Sequence, residues 1–268
     1  MAGKVNPNDP RKLTDFKVLS FDVYSTLIDE KRGLFTHLHP LLSRLADPQK
    51  SQHLTNRAFT LEKFQAHEHR LQKEQPHLSY PEILRLAYLS FDHEIFDRHG
   101  HLMTTLNLEA EAQHFSQSIP SWLAFPDTVA ALHKLHQYYK LVILSNIDEV
   151  SILGTIKNNM DIGWDAIYAA QTIGSYKPDL RNFEYLIRHV EDDLGIQKEE
   201  ILHTAQSLRA DHVPVKKMNM NGVWIDRDDE GQDYEELKDE VAYTWKFSTL
   251  GEMADAVEKA FEAEGKKV

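Results

Sequence analysis

The sequence predicts an α/β protein with a parallel sheet, into which an all-helical segment is inserted after the first strand. Short apolar runs with polar carboxyl ends recur along the chain, and helical patterns separate them. Strands that alternate with helices are typical of a parallel sheet with helices on both faces. Between about residues 31 and 122 such runs are missing, and the apolar residues recur at helical spacing.

The strands are predicted from five apolar runs. The clearest is Lys17–Asp22, which ends in an acid and precedes a polar turn. The second, Lys140–Asn146, has the same apolar body and polar end. Weaker versions occupy Ala166–Ala170, Ile201–Thr204 and Val223–Ile225. Each of these lengths fits a buried strand of a parallel sheet.

The helices between these strands follow from apolar residues three and four positions apart. They are predicted at Asp127–Tyr139, Leu180–Val190 and His212–Met218. Together with the strands they form a Rossmann-like core, assigned to residues 1–30 and 123–268. The helical stretch at residues 31–122 is then expected to be a separate cap domain over the strand ends.

Composition excludes several classes of protein. The 268 residues suffice for one large domain or for a core with a smaller partner. A net charge of −12 without a basic cluster argues against binding to nucleic acid or to an anionic membrane. The chain has no cysteine, which excludes disulfides, thiolate catalysis and zinc held by cysteine. No apolar segment has the length of a membrane span, and Met1–Asp15 lacks a signal-peptide core, so a cytoplasmic protein is expected.

Polar residues at the strand ends predict a site. Asp22, Ser145, Asn146 and Asp211 follow three different strands, and carboxyl ends of parallel strands gather the chemistry of such sheets. A carboxylate that ends a buried strand is held rigid, as a nucleophile requires, although it could equally cap the next turn. Lys177 precedes a proline, and a cation near Asp22 would lower the pKa of that carboxyl.

Four segments together resemble the motifs of the haloacid dehalogenase superfamily. They occur in the expected order, and the inserted helices resemble the cap of that superfamily. The resemblance covers residues 17 to about 227 and implies a hydrolase with an aspartate nucleophile. The segments are Phe21–Leu27, Leu144–Asn146, Gly174–Asp179 and Ala205–Asp211.

Two positions separate the branches of this superfamily. Phosphatases usually carry a second aspartate two residues after the nucleophile, where this chain has Tyr24, whose ordinary pKa of ~10 makes it a poor acid near neutral pH. They also use Mg²⁺, for which the neutral Gln206 in the fourth motif is a weak ligand. Both departures match the L-2-haloacid dehalogenase branch, which works without a metal or another cofactor.

The resemblance implies roles for particular residues. Asp22 would attack the carbon that bears the leaving group, and water near Asp211 would hydrolyse the resulting ester. Its substrate would be a small carboxylate, and the protein a homodimer. The remaining implied roles are holding Asp22 (Thr26, Ser145 and Lys177), stabilising the leaving anion (Arg57 and Asn146) and lining the substrate site (Tyr24, Leu61 and Phe183).

Some positions depart from the dehalogenase pattern and leave the substrate open. Leu208 stands where an asparagine is usual, Phe183 where a tyrosine is, and Ala58 where a glutamine is. A hydrolase that opens the ring of azetidine-2-carboxylate by the same attack is therefore a rival interpretation. A Mg²⁺-dependent phosphatase and a non-catalytic binding protein also stay open.

Histidine pairs give no metal site. The histidines of the pair His67/His69 are two residues apart and do not share a helix face, and the pair His99/His101 flanks a glycine turn. We interpret both pairs as surface residues.

Overall fold

A computed structural model of the chain describes residues 3–5, 9–45, 56–75, 77–96, 106–227 and 231–265. It divides into two compact units, which are described separately. The first unit comprises Met1–Asp29, Ala124–Asn146 and Asn159–Val268, and the second comprises Glu30–Leu123 and Ile147–Asn158. The assignment of residues 31–122 as a cap domain over a core stays a prediction.

The first unit contains a six-stranded sheet in which every neighbouring pair of strands is parallel. Its strand order is β3-β2-β1-β4-β5-β6, so the first strand lies in the middle. This confirms the predicted α/β class and the parallel sheet. The strands are β1 (Val18–Phe21), β2 (Lys140–Ser145), β3 (Ala166–Ala169), β4 (Ile201–Ala205), β5 (Asn221–Ile225) and β6 (Trp245–Phe247).

The sequence predicted the first five strands to within two residues at each end, but it missed β6. This strand has three residues, and the middle one, Lys246, is exposed. Three residues with one exposed position are too few for a hydrophobic pattern that would distinguish an edge strand from a loop. In the structure, β6 forms a strand because it pairs in parallel with β5 through hydrogen bonds.

The helices are named in chain order. The helices of the second unit are amphipathic, as the apolar spacing predicted. Among the described residues of that unit, no strand lies between them. The helices are α1 (Glu30–Leu42), α2 (Arg57–Glu74), α3 (Tyr80–Ile95), α4 (Leu106–Ser116), α5 (Thr128–Leu135), α6 (Glu149–Asn159), α7 (Ala170–Ile173), α8 (Arg181–Leu194), α9 (Val213–Lys217), α10 (Gly231–Leu237) and α11 (Leu250–Ala263).

The core of the first unit explains why its central strands have no polar face. All residues of β1, β4 and β5 are buried, because helices cover both faces of a parallel sheet. The amphipathic helix α8 packs Phe183, Leu186 and Val190 against Val18 and Val142 of the sheet. Two polar side chains, Ser20 and His203, are nevertheless fully buried within this apolar surface.

In the second unit, the helices pack around a cluster of aromatic rings. Phe64 of α2 meets Phe91 of α3 edge to face at 5.8 Å and Phe115 of α4 at 5.4 Å. Helix α2 is capped by Asn56, whose side-chain oxygen accepts a hydrogen bond from the N–H of Phe59 at 3.0 Å. Such a cap satisfies a backbone donor that has no partner within the helix.

Among the described residues, no helix combines the length and the apolar character that a bilayer span requires. His67 Nε2 lies 2.6 Å from Glu94 Oε2, which is a hydrogen-bond distance. The second histidine pair, His99 and His101, lies outside the described residues.

Candidate active site

Asp22 directly follows the central strand β1. Its backbone N–H donates a hydrogen bond of 3.1 Å to the carbonyl of Thr204 in the neighbouring strand β4. The chain then makes a tight turn in which Ser25 takes a positive φ of 66°, a conformation that is uncommon outside glycine. The strand and the turn together fix the direction of the Asp22 side chain.

Both oxygens of the Asp22 carboxylate accept a hydrogen bond. Thr26 donates from Oγ1 to Oδ2 at 2.7 Å, and Lys177 donates from Nζ to Oδ1 at 2.8 Å. Thr26 Oγ1 in turn accepts from the backbone N–H of Gln206 at 2.9 Å, which orients the hydroxyl toward the carboxylate. Each carboxylate oxygen still keeps a second lone pair, so Asp22 can act as a nucleophile.

Lys177 lies between two carboxylates. Besides Asp22, its Nζ donates to Asp211 Oδ1 at 2.7 Å and to the carbonyl of Leu144 at 3.0 Å. An ammonium group has three N–H donors, and all three are used here. The lysine side chain is only 1% exposed, so its charge is compensated by these carboxylates rather than by solvent.

Burial and neighbouring charges shift the pKa values of Asp22, Asp211 and Lys177, and their balance differs among the three groups. Burial raises the pKa of Asp22, and the charge of Asp211 adds to this effect, while Lys177 and Thr26 oppose it. Burial would also raise the pKa of Asp211, but Lys177 and His203 outweigh it and lower that pKa to about 2. The two carboxylates overcome the effect of burial on Lys177 and raise its pKa. Lys177 is thus charged, and Asp22 is the carboxyl that takes up a proton first.

Asp211 lies in a wide turn that precedes the helix predicted at His212–Met218. Residues Leu208–His212 form a single π-helical turn, and α9 starts only at Val213. The backbone N–H of His212 reaches back five residues to the carbonyl of Ser207 at 3.3 Å. Such turns occur often at functional sites, because they redirect one side chain. Here the redirected side chain is the second acid of the site.

His203 and Ser20 belong to this cluster, and the sequence analysis missed both. His203 Nε2 lies 2.8 Å from Asp211 Oδ1, and its Nδ1 lies 2.8 Å from Ser20 Oγ. The one available signal was a histidine in the middle of the apolar run Ile201–Thr204. Buried polar side chains need partners, and the partner of His203 is the predicted acid Asp211.

Ser145 lacks the contact with Asp22 that the resemblance implied, whereas Asn146 contacts the backbone of Lys177 and its role toward a leaving anion stays a prediction. Ser145 Oγ is buried and has no hydrogen-bond partner among the described residues, so it does not bond to Asp22. The Asn146 amide bonds to the Lys177 backbone, donating to its carbonyl at 2.9 Å and accepting from its N–H at 2.6 Å. One N–H of the Asn146 amide is left over for another acceptor.

The remaining predicted residues divide between the units. Phe183 is buried in the first unit with its ring edge-on to His203 at 5.1 Å, and Tyr24 is half-buried in the turn after Asp22. Arg57 is the exposed first residue of α2 in the second unit, and Leu61 is buried one turn later. Their roles toward a substrate stay predictions.

The donor set is a poor fit for a magnesium ion. Mg²⁺ is bound by carboxylate and other oxygen ligands, whereas here one ammonium group already bridges the two carboxylates of Asp22 and Asp211. The residue before Ser207 is the neutral Gln206. Within the described part of the chain, no group of three or more histidine and acidic side chains is placed to hold a metal.

These features define an α/β enzyme class with a buried aspartate at the end of the central strand. The chain belongs to the family of haloacid dehalogenase-like hydrolases, whose family model matches residues 16–204. The protein is therefore a hydrolase. A comparison with curated proteins gave no match.

Solved structures with this fold include several dehalogenases. A defluorinating L-2-haloacid dehalogenase is 17% identical with a TM-score of 0.69, covering 96% of this chain and 99% of its own. The L-2-haloacid dehalogenase from Xanthobacter autotrophicus, with chloropropionic acid covalently bound, is 16% identical with a TM-score of 0.64, covering 91% and 98%. The putative HAD-hydrolase YfnB from Bacillus subtilis, bound to magnesium, is 15% identical with a TM-score of 0.66, covering 90% and 98%. At these identities the likeness establishes the fold.

Proposed function

We propose that this protein is a metal-independent hydrolase that displaces a leaving group from the carbon next to a small carboxylate. It would act as a 2-haloacid dehalogenase through an ester on Asp22. The contact of one buried ammonium, Lys177 Nζ, with both Asp22 and Asp211 carries this proposal. That ammonium holds the nucleophile by charge, and Tyr24 and Gln206 are the positions that distinguish this chain from the Mg²⁺-dependent phosphatases of the superfamily.

The first step forms the ester. An oxygen of the ionised Asp22 carboxylate attacks the substrate carbon, a carbon–oxygen bond forms, and the bond to the leaving group breaks. The leaving group departs with the electron pair as an anion. Lys177 and Thr26 keep the nucleophile in place by one hydrogen bond to each carboxylate oxygen.

The second step hydrolyses the ester at the carboxyl carbon of Asp22. Water attacks this carbon, the bond between the carboxyl carbon and the ester oxygen breaks, and a hydroxy acid leaves with that former Asp22 oxygen as its hydroxyl. One proton is released to solvent over the cycle, and Asp22 regains its carboxylate. Asp211 Oδ2 is buried without a hydrogen-bond partner among the described residues, so it is available as an acceptor for this water.

Two further residues are assigned to the leaving anion. The dehalogenases with this fold include one that carries covalently bound chloropropionic acid, which is consistent with ester chemistry on this scaffold. Asn146 has an amide N–H left to donate, and the family resemblance implies the same role for the guanidinium of Arg57. The small carboxylate is the proposed ligand, while a homodimer and a cytoplasmic location stay predictions.

Ring opening of azetidine-2-carboxylate is kept as a second candidate because Leu208 and Phe183 replace polar residues of the dehalogenase pattern. Its leaving group is a tethered amine, which has to acquire a proton. The attack on carbon by Asp22 is the same in both reactions, so only the substrate differs. A phosphatase and a binding protein are the remaining candidates, and an assay can separate them.

A single turnover in H₂¹⁸O tests the mechanism and the substrate together. Excess enzyme is mixed with (S)-2-chloropropionate or with azetidine-2-carboxylate, and the peptide that contains Asp22 is analysed by mass spectrometry. We expect one ¹⁸O in that peptide with 2-chloropropionate, because water attacks the Asp22 carbon and leaves its oxygen there. Label with the azetidine compound alone would instead assign the ring-opening reaction.

A parallel assay uses a generic phosphate ester with and without Mg²⁺. We expect no phosphate release in either condition. If phosphate were released only with Mg²⁺, and neither carboxylate substrate gave label or product, the proposed function would be wrong. If none of the three compounds reacted, the non-catalytic interpretation would replace it.

Arg57→Ala tests the role toward the leaving anion that the family resemblance implies for this residue. We expect kcat/KM for 2-chloropropionate to fall about a hundredfold, as when one donor to a developing anion is removed. Arg70→Ala is the matched control, because Arg70 is exposed on the same helix and pairs with Glu74 at 3.1 Å. Equal rates for both variants would show that Arg57 does not contact the leaving group.

The pH dependence of the reaction rate should reflect the ionisation of the nucleophile Asp22. Asp22 has to be ionised to attack, and burial raises its pKa above the ordinary 3.8. The rate should therefore start to fall at a higher pH than an unperturbed aspartate would give. Circular dichroism at the same pH values distinguishes this fall in rate from acid unfolding. A rate that stays constant below pH 3.8 in folded protein would contradict the raised pKa of Asp22.

A further inference from the structure

We propose that His203 is a positioning residue for hydrolysis of the ester, because it fixes which oxygen of Asp211 is open toward the reacting water. The catalytic consequence rests on the proposed function. The contact between His203 and Asp211 stands on the geometry alone. Neither His203 nor Ser20 belongs to the residues that the family resemblance supplied.

His203 is held on three sides within the first unit. It is fully buried in the central strand β4, with Nε2 at 2.8 Å from Asp211 Oδ1 and Nδ1 at 2.8 Å from Ser20 Oγ. The ring of Phe183 covers it edge-on, with the centroids 5.1 Å apart. A tyrosine at position 183 would add a hydroxyl to this neighbourhood, whereas phenylalanine leaves the imidazole with two polar contacts.

The charges set the tautomer of the ring. Asp211 has a pKa lowered to about 2 and is therefore ionised at neutral pH, so its oxygens can only accept hydrogen bonds. Nε2 must then carry the proton that it donates to Asp211. In the neutral ring, Nδ1 accepts from the Ser20 hydroxyl. The other ionisable groups near the ring are Lys177, which bonds to the same Asp211 oxygen, and the buried His212.

Two donors converge on one oxygen of Asp211. Lys177 Nζ lies 2.7 Å and His203 Nε2 lies 2.8 Å from Oδ1, whereas buried Oδ2 has no hydrogen-bond partner among the described residues. With both donors present, rotation of the carboxylate would break two charge-assisted hydrogen bonds. The pair of donors therefore keeps Oδ2 free to accept from water. Without His203, Lys177 alone would hold Asp211, and the carboxylate could turn.

Two amide variants separate this role from simple filling of the core. Gln reaches about as far as Nε2 of histidine, so His203→Gln keeps a donor for Asp211. Asn reaches only about as far as Nδ1, so His203→Asn keeps the contact with Ser20 and loses the one with Asp211. We expect kcat for 2-chloropropionate to fall about ten- to a hundredfold in His203→Asn, as for loss of a hydrogen bond to a charged group. His203→Gln should recover most of the rate.

A pH profile distinguishes positioning from a purely structural role. Loss of the His203 donor makes ionised Asp211 less stable, so the coupled carboxyl pair takes up its first proton at a higher pH. The acid limb of His203→Asn should therefore shift to higher pH than that of His203→Gln. Equal rates and equal acid limbs for both variants, with only their melting temperatures lowered, would overturn the proposal.

An experiment without turnover keeps the proposal separate from the proposed function. In ¹⁵N-histidine-labelled protein, the signal lost in His203→Asn assigns His203, and its nitrogen shifts report the tautomer. We expect protonated Nε2 and unprotonated Nδ1, and a changed Nε2 shift in Asp211→Asn. A proton on Nδ1 only, or no effect of Asp211→Asn, would refute the contact. Inactivity of the unaltered protein with an intact Nε2 signal would instead count against the proposed function.

Discussion

Replacing Asp22 by asparagine is expected to abolish turnover, with a loss of at least about a thousandfold in kcat for 2-chloropropionate. The amide is a far weaker nucleophile than a carboxylate, and no ester can form at this position. Single-turnover labelling in H₂¹⁸O should accordingly give no product and no label in the peptide.

The fold of this variant should persist. Lys177 keeps its bonds to Asp211 and to the Leu144 carbonyl, and an amide oxygen can still accept from Thr26. Asp193→Asn, at an exposed aspartate in the same unit, is the matched control and should leave the rate unchanged. Mass spectrometry first has to exclude hydrolysis of the introduced amide back to a carboxylate. Residual activity within tenfold of the unaltered protein would then remove Asp22 as the nucleophile.

Replacing Lys177 by methionine should have the second largest effect. It leaves two buried carboxylates without their shared cation, and breaking such a buried pair costs about 3–5 kcal/mol in the free energy of unfolding at neutral pH. Turnover should also fall by at least about a hundredfold, because Asp22 loses the donor that keeps Oδ1 in place. Urea unfolding and steady-state kinetics measure the two losses separately.

The pH dependence of this loss has a defined sign. In the unaltered protein the pKa of Lys177 is raised, so its stabilising effect is complete below the ordinary value of 10.5 and is lost only above the raised value. In Lys177→Met the pKa of Asp22 rises further and the pKa of Asp211 is no longer lowered by the lysine, so protonation removes their repulsion as the pH falls. The stability deficit should therefore shrink on acidification and be largest between neutral pH and the ordinary lysine pKa of 10.5.

Two variants check that the effect comes from the buried pair. Lys140→Met removes an exposed lysine that pairs with Asp165 at 2.8 Å, and it should cost less than about 1 kcal/mol. Lys177→Met combined with Asp211→Asn should regain stability without regaining activity, because one of the two unpaired charges is gone. Equal stability deficits for Lys177→Met at acidic and neutral pH would contradict this electrostatic account.

The sequence alone predicted the order of the first five strands along the chain and the polar residues that end them. That was enough to bring Asp22 and Asp211 to one edge, because parallel strands share the edge where their carboxyl ends lie. It could not give β6, whose pattern is too short to differ from a loop. The sequence also could not predict the π-helical turn at Leu208–His212, because one extra residue in a single turn does not change the apolar periodicity detectably.

The contacts within the site were decided by the tertiary structure. Strand register brings His203 beside Ser20, since these residues are direct neighbours in β4 and β1. The turn at Asp211 then decides that His203 meets that acid, and the Asn146 amide fixes the backbone of Lys177. Hydrogen bonds depend on differences of less than about 1 Å between residues far apart in the chain. The sequence therefore determined which chemical groups meet at this edge, and the packing of strands and turns decided which of them bond.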